Sequence, residues 1–150
     1  MLHSILSAIV ALLLMSSAAL AQPLTIVESR FSFKETGDRL TSELEKRGIR
    51  IVARIDHAAG AKSIGLEMPP TEVIMFGNPK LGTPLMLAQP SVAIELPMKM
   101  LIWQDKGGKI MIGYTPASAL KDRYQISGQD EALKTLEAAL AGLAKIASQP

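Results

Sequence analysis

Cysteine is absent from this chain of 150 residues, and one tryptophan, two tyrosines and three phenylalanines are its only aromatic residues. The lack of thiols excludes disulfides, thiolate metal sites and a cysteine nucleophile together, so stability has to come from packing. Histidine is scarce too, with His3 and His57 the only two. Residues 1–21 contain no Lys, Arg, Asp or Glu. No basic run interleaved with aromatics occurs, and neither a helix-turn-helix nor an RNA-binding signature is present. Binding to nucleic acid through phosphate contacts therefore has no footprint, and the formal charge of +2 is only a slight excess.

The uncharged opening segment has an apolar core from Ile5 to Leu14 and closes on Ala19-Leu20-Ala21. An apolar stretch of about ten residues before a small-x-small site reads as a secretory signal peptide, since a spanning helix needs about 20 apolar residues. Cleavage is expected after Ala21, which makes the protein periplasmic or secreted. An uncleaved signal anchor is the alternative and the only membrane attachment expected; Pro23 interrupts the run and argues against it. Residues 22–150 are long enough for a single domain with a full hydrophobic core.

From Leu24 to Arg30, β-branched and polar residues alternate as in a strand. Ser32 with Glu35 then makes a capping-box pattern, Leu40 and Leu44 share a helix face, and Gly48 is placed to end the helix. Ile49 to Asp56 alternates as a half-buried strand, with Ile49, Ile51, Ala53 and Ile55 on one face. A short helical turn started by Asp56 and a third strand, Glu72 to Phe76, are expected next. Gly77-Asn78-Pro79 ends that strand, and Thr83 with Pro84 is placed to cap a short helix. The nearly all-apolar stretch Val92 to Gln104 and Lys109 to Tyr114, divided by Asp105-Lys106-Gly107-Gly108, predict a hairpin, with Pro97 at an edge or bulge. After a helical segment through about Tyr124, a last helix from Gln129 to Ala147 aligns Leu133, Leu136, Leu140 and Leu143. The order strand, helix, four strands, helix is that of an α+β sandwich with an antiparallel sheet and its helices on one face.

Four ordered stretches resemble a known family: Ile55-Asp56-His57-Ala58-Ala59-Gly60-Ala61-Lys62; Phe76-Gly77-Asn78-Pro79-Lys80 with Gly82-Thr83-Pro84-Leu85-Met86; Glu95-Leu96-Pro97; and Trp103, Tyr114 and Pro116. Together they are similar to the bacterial and archaeal family called domain of unknown function 302, over roughly Thr25 to Ile126. The resemblance implies a β-α-β-β-β-β-α fold similar to the TATA-binding-protein type and suggests dimers. It brings no established activity, cofactor or catalytic residue.

Apart from His3 in the signal segment, His57 is the one histidine able to serve chemistry. Its neighbour Asp56 sits on the opposite side of a strand end and suits a helix cap better than a catalytic dyad. The functional reading puts His57 with Lys62 or Glu95 at a polar corner of a ligand pocket. Met98 and Met100 share a strand face and have thioethers that suit Cu(I), with His57 as a further metal candidate; the competing reading is ordinary core filling. Glu95, placed on the strand face that also holds Lys99 and Trp103, is expected to pair with Lys99 or Arg54. Gly77 to Thr83, around Asn78, exposes backbone amides able to hold an anion, or else simply turns a tight corner. Trp103 and Tyr114, on paired strands, serve cross-strand packing, the floor of an apolar pocket or a dimer contact.

No nucleophile-elbow or paired-carboxylate pattern is present, and no catalytic residue or cofactor is assigned. The leading expectation is a non-enzymatic binding or interaction module, dimeric through the open face of its sheet, with a small ligand or protein as partner. The alternative is a periplasmic metal-handling protein or enzyme centred on His57.

Overall fold

The computed structural model describes residues 24–150; the expected signal peptide and its cleavage site lie outside the described residues. Five strands, β1 (Thr25–Ser29), β2 (Arg50–Asp56), β3 (Thr71–Gly77), β4 (Met98–Gln104) and β5 (Ile110–Tyr114), form one sheet in the order β1-β5-β4-β3-β2. Every neighbouring pair is antiparallel. The helices are α1 (Phe33–Lys46), α2 (His57–Ser63), α3 (Pro79–Ala88), α4 (Ala117–Tyr124) and α5 (Asp130–Ser148), with a 3-10 turn at Pro90–Glu95. This is the expected α+β architecture.

Local chemistry explains most boundaries. The Ser32 hydroxyl accepts from the Glu35 amide at 3.2 Å to cap α1, and Gly48 at φ +65 ends it in a conformation that disfavours a side chain. Asp56 caps α2 by accepting from the Ala59 amide at 2.8 Å. In the β4–β5 hairpin the Asp105 carboxylate accepts from the Gly107 and Lys109 amides, which sets the register Trp103 opposite Met111 and Ile102 opposite Ile112.

Alternation divides the sheet into two faces. Ile74 and Phe76, Met98 to Ile102 in steps of two, and Ile112 and Tyr114 point toward α1 and α5, where Leu40, Leu44, Leu136, Leu140 and Leu143 complete the buried core. The opposite face carries Ile26, Met111, Leu101, Trp103, Val73 and Ile55, exposed or half-buried. Ile26 keeps 52% and Ile55 42% of its surface in solvent. These apolar side chains lie on the side of the sheet away from the packed helices.

Three local expectations are corrected. A bulge lies between Ile51 and Ala53, so Ile51 faces the helices while Ala53 and Ile55 turn to the outer face with Met75 and Val73. One extra residue inverts the alternation that the sequence presents. The apolar run from Val92 is not continuous strand: Pro90–Glu95 is a 3-10 turn, and β4 begins only at Met98. Helix α3 starts at Pro79 with Asn78 as its cap, so Thr83 and Pro84 lie inside it.

Candidate functional site

Between α3, α5 and the adjoining ends of β2 and β3, a cavity of about 380 Å³ opens toward solvent. Its walls come from distant parts of the chain: Ile49 and Val52 in and beside β2, Phe76 on β3, Leu81 and Met86 on α3, Leu96 with Pro97 before β4, and Leu136 with Leu140 on α5. Arg50, Asn78 and Thr83 supply its polar side chains. An apolar enclosure with a few polar groups is the usual constitution of a small-molecule site.

Asn78 stands at this site because it has two local duties. Its Oδ1 accepts from the Lys80 amide at 2.9 Å, and its backbone carbonyl accepts from the Leu81 and Gly82 amides. With Pro79 at the first helical position this is an efficient helix start. The amides that would have held an anion in a Gly77–Thr83 loop are therefore engaged by Asn78 itself, and the open-loop expectation is replaced by a capped helix. Arg50, the first residue of edge strand β2, pairs with Gly77 across the ladder and reaches the same cavity.

The other candidate residues do not converge there. His57 is exposed at the start of α2, and Lys62 lies on the same short helix beside a shallow cleft with Asp56, Leu66 and Met68. Glu95 belongs to neither strand nor that corner. Its carboxylate accepts from Arg123 at 2.8 Å and from the Tyr124 hydroxyl at 2.9 Å, while Lys99 donates to the backbone carbonyls of Glu95, at 3.0 Å, and Pro97, at 3.4 Å. Burial alone raises the Glu95 carboxyl pKa, but the hydrogen bonds from Tyr124 and Arg123 with the Arg123 and Lys99 charges outweigh it and leave it below the ordinary range. The expected Arg54 pairing is corrected as well, because Arg54 binds Glu72.

Trp103 and Tyr114 lie on adjacent strands but on opposite faces, so they form no common floor. Trp103 spreads over Gly113 on the outer face, while Tyr114 is opposite Met100 in the core at 4% exposure. Burial and the nearby Glu137 carboxylate push the Tyr114 hydroxyl pKa up, against a hydrogen bond from Thr25. Met100 is fully buried among core side chains, and Met98, 6% exposed, contributes to the cavity wall. Among the described residues no group of three or more His, Cys, Asp and Glu side chains is placed to hold a metal ion.

Sequence reasoning singles out Asn78, gives Thr83 a capping role and a place at the end of the anion-holding loop, and passes over Arg50 as a site residue. The one signal for Arg50 is its position as the polar opening residue of a strand whose partner strand ends at Gly77-Asn78.

Comparison with known proteins agrees with this architecture. A crystal structure of an uncharacterized conserved protein DUF302 from Bacillus stearothermophilus superposes with a TM-score of 0.75 at 20% identity, covering 86% of this chain and all of that one. Over 114 residues the chain is 39% identical to the fluoride-specific ion channel FluC 1 of Brucella suis biovar 1, and likewise to FluC 1 of Brucella abortus biovar 1. Those matches take in 75% of this chain but only 45% and 42% of the relatives, so the chain spans less than half the length of the curated proteins it matches. With residues 25–143 matching the family described as Domain of unknown function DUF302, the chain belongs to that family.

Proposed function

We propose that this protein is a periplasmic or secreted, non-enzymatic binding module that holds a small ligand in the cavity beside Asn78 and pairs with a second copy through the outer face of its sheet. The observation that carries the reading is the cavity. Its volume of about 380 Å³ falls in the range of ligand sites, and its lining is apolar except at a few groups. Export is supported by the uncharged, apolar segment 1–21 with its Ala19-Leu20-Ala21 ending. Pairing is supported by the apolar residues of the outer face, Leu101 and Val73 at its centre and Ile26 and Ile55 toward its edges. A site centred on His57 has less behind it, since that side chain is exposed and is not among the residues lining the cavity.

Native mass spectrometry of protein recovered from the periplasm of its own host tests the reading. A mature chain beginning at Gln22 and a small-molecule adduct released on denaturation are the expected results. Bare polypeptide alone, or protein confined to the cytoplasm, would overturn it.

A second reading is favoured by the Brucella relatives, which are named fluoride-specific ion channels. In that reading the domain acts beside such a channel rather than as its pore, because among the described residues no helix is long and apolar enough to cross a membrane. Deleting the gene would then lower growth in fluoride. Unchanged fluoride tolerance would count against it.

A further inference from the structure

We propose that the cavity takes a singly charged anionic amphiphile, a carboxylate head on a single apolar body of medium size, with Arg50 holding the head. The inference rests on the binding-module reading above and assigns its ligand class.

Size sets the first limit. A cavity of about 380 Å³ lies toward the small end of the roughly 300–1,000 Å³ typical of small-molecule sites. A medium-chain carboxylate fits this, whereas a two-chain lipid is several times too large.

Charge sets the second. Among the described residues Arg50 is the one ionisable side chain in the lining, and no Asp or Glu accompanies it. Arg47, Arg54 and Arg123 each hold a carboxylate of the protein, and Arg39 donates to the Ile146 and Gln149 carbonyls. Arg50 forms no ion pair and no side-chain hydrogen bond among the described residues. Its fork of N–H donors suits a two-oxygen acceptor.

Donor type sets the third. Of the two ends of the Asn78 amide only the oxygen accepts an N–H, so the bond from the Lys80 amide fixes the side chain with Oδ1 toward the helix. The Asn78 Nδ2 group, without a protein acceptor among the described residues, is left to donate. Arg50 and Asn78 thus offer donors, while the remaining wall offers hydrocarbon. That combination selects an apolar body ending in an acceptor of negative charge.

Isothermal titration calorimetry of the purified protein with decanoate, decanol and decyltrimethylammonium, each below its micellar concentration, tests the assignment. Decanoate is expected to bind about tenfold or more tightly than decanol, and the cation is expected to give no binding heat. Arg50→Gln, a change at an exposed position, should reduce decanoate to the level of decanol. Thr83→Trp, also at an exposed position, should plug the mouth and remove both. Equal affinities for decanoate and decanol, both lost in Thr83→Trp, would overturn the anion assignment while leaving the binding-module reading intact. Decanoate binding unchanged in both variants would mean adsorption elsewhere and overturn it too. If none of the three binds, the assignment fails; an adduct in native mass spectra would then preserve the broader reading, and its absence would end both.

Discussion

Arg54 and Glu72 join β2 to β3 through a two-pronged ion pair, Nε to Oε1 at 2.7 Å and Nη2 to Oε2 at 2.9 Å, on the sheet face covered by α1. The glycine at position 37 gives it room: a Cβ there would lie 3.3 Å from Arg54 Nη2 and 3.4 Å from Glu72 Oε2. The bulge at Ile51/Ala53 is what turns Arg54 inward to reach this place. The pair raises the Arg54 pKa, chiefly through the hydrogen bond to Glu72 and against some burial.

Removing one partner leaves the other poorly satisfied. Arg54→Met should cost about 1–2 kcal/mol, less than the roughly 3–5 typical of fully buried pairs, because 43% of the Arg54 side chain is exposed and screened by solvent. Replacing both residues by methionine should recover most of the loss. Urea unfolding of the single and double variants measures this, and a double variant no more stable than Arg54→Met would show that the pair does not act as a unit.

Acid should weaken the clamp on the 3-10 turn. The folded-state pKa of Glu95 lies below its ordinary 4.5, so its contribution is present above that value and is lost as pH falls through the depressed one. Thermal melts from pH 6 downward should therefore show a loss below about pH 4.5 that is smaller in Glu95→Gln. Identical pH profiles for the two proteins would refute the assignment.

The indole of Trp103 occupies space that only a glycine at position 113 leaves free. A Cβ on residue 113 would sit 3.0 Å from Cζ3 and 3.2 Å from Cη2. Gly113→Val must displace the ring and should cost about 1–3 kcal/mol. Since Trp103 is the only tryptophan, its emission reports the displacement directly. An unchanged spectrum and stability would show that the ring is not held there.

Pairing through the outer face makes Leu101, on the central strand β4, the informative position. Light scattering coupled to size-exclusion chromatography should give twice the mass of the mature chain for the native protein, the full 150-residue chain being 16.1 kDa. Leu101→Glu should bring it to the monomer mass with unchanged far-ultraviolet circular dichroism. A monomeric native protein would remove the pairing proposal.

Segments governed by neighbouring residues are legible in the sequence itself. Ser32, Gly48, Asp56 and the Asp105–Gly108 hairpin act within a few residues of themselves, and each occurs where its side-chain chemistry requires. The Leu133–Leu143 stripe is equally plain because its 3.6-residue period repeats over several turns. Val92 to Leu96 misleads for the opposite reason. A short apolar run looks alike in a strand and in a buried turn, and what separates them is the anchoring of Glu95 by Arg123 and Tyr124, 28 and 29 residues away. The site follows the same division: Asn78 announces itself through turn chemistry, whereas Arg50 acquires meaning only where β2 meets the end of β3.

Residue order alone decided the α+β class, the number of strands, the principal caps and turns, and the family, because each follows from periodicity, local hydrogen bonding or a contiguous motif. Tertiary structure alone decided which side of β2 faces the helices, that Trp103 and Tyr114 lie on opposite faces, and that a cavity exists at all. A bulge changes strand faces by a single residue, and a cavity is the space left where segments as distant as Arg50 and Leu143 fail to close. Both are properties of how elements pack, which no local pattern encodes.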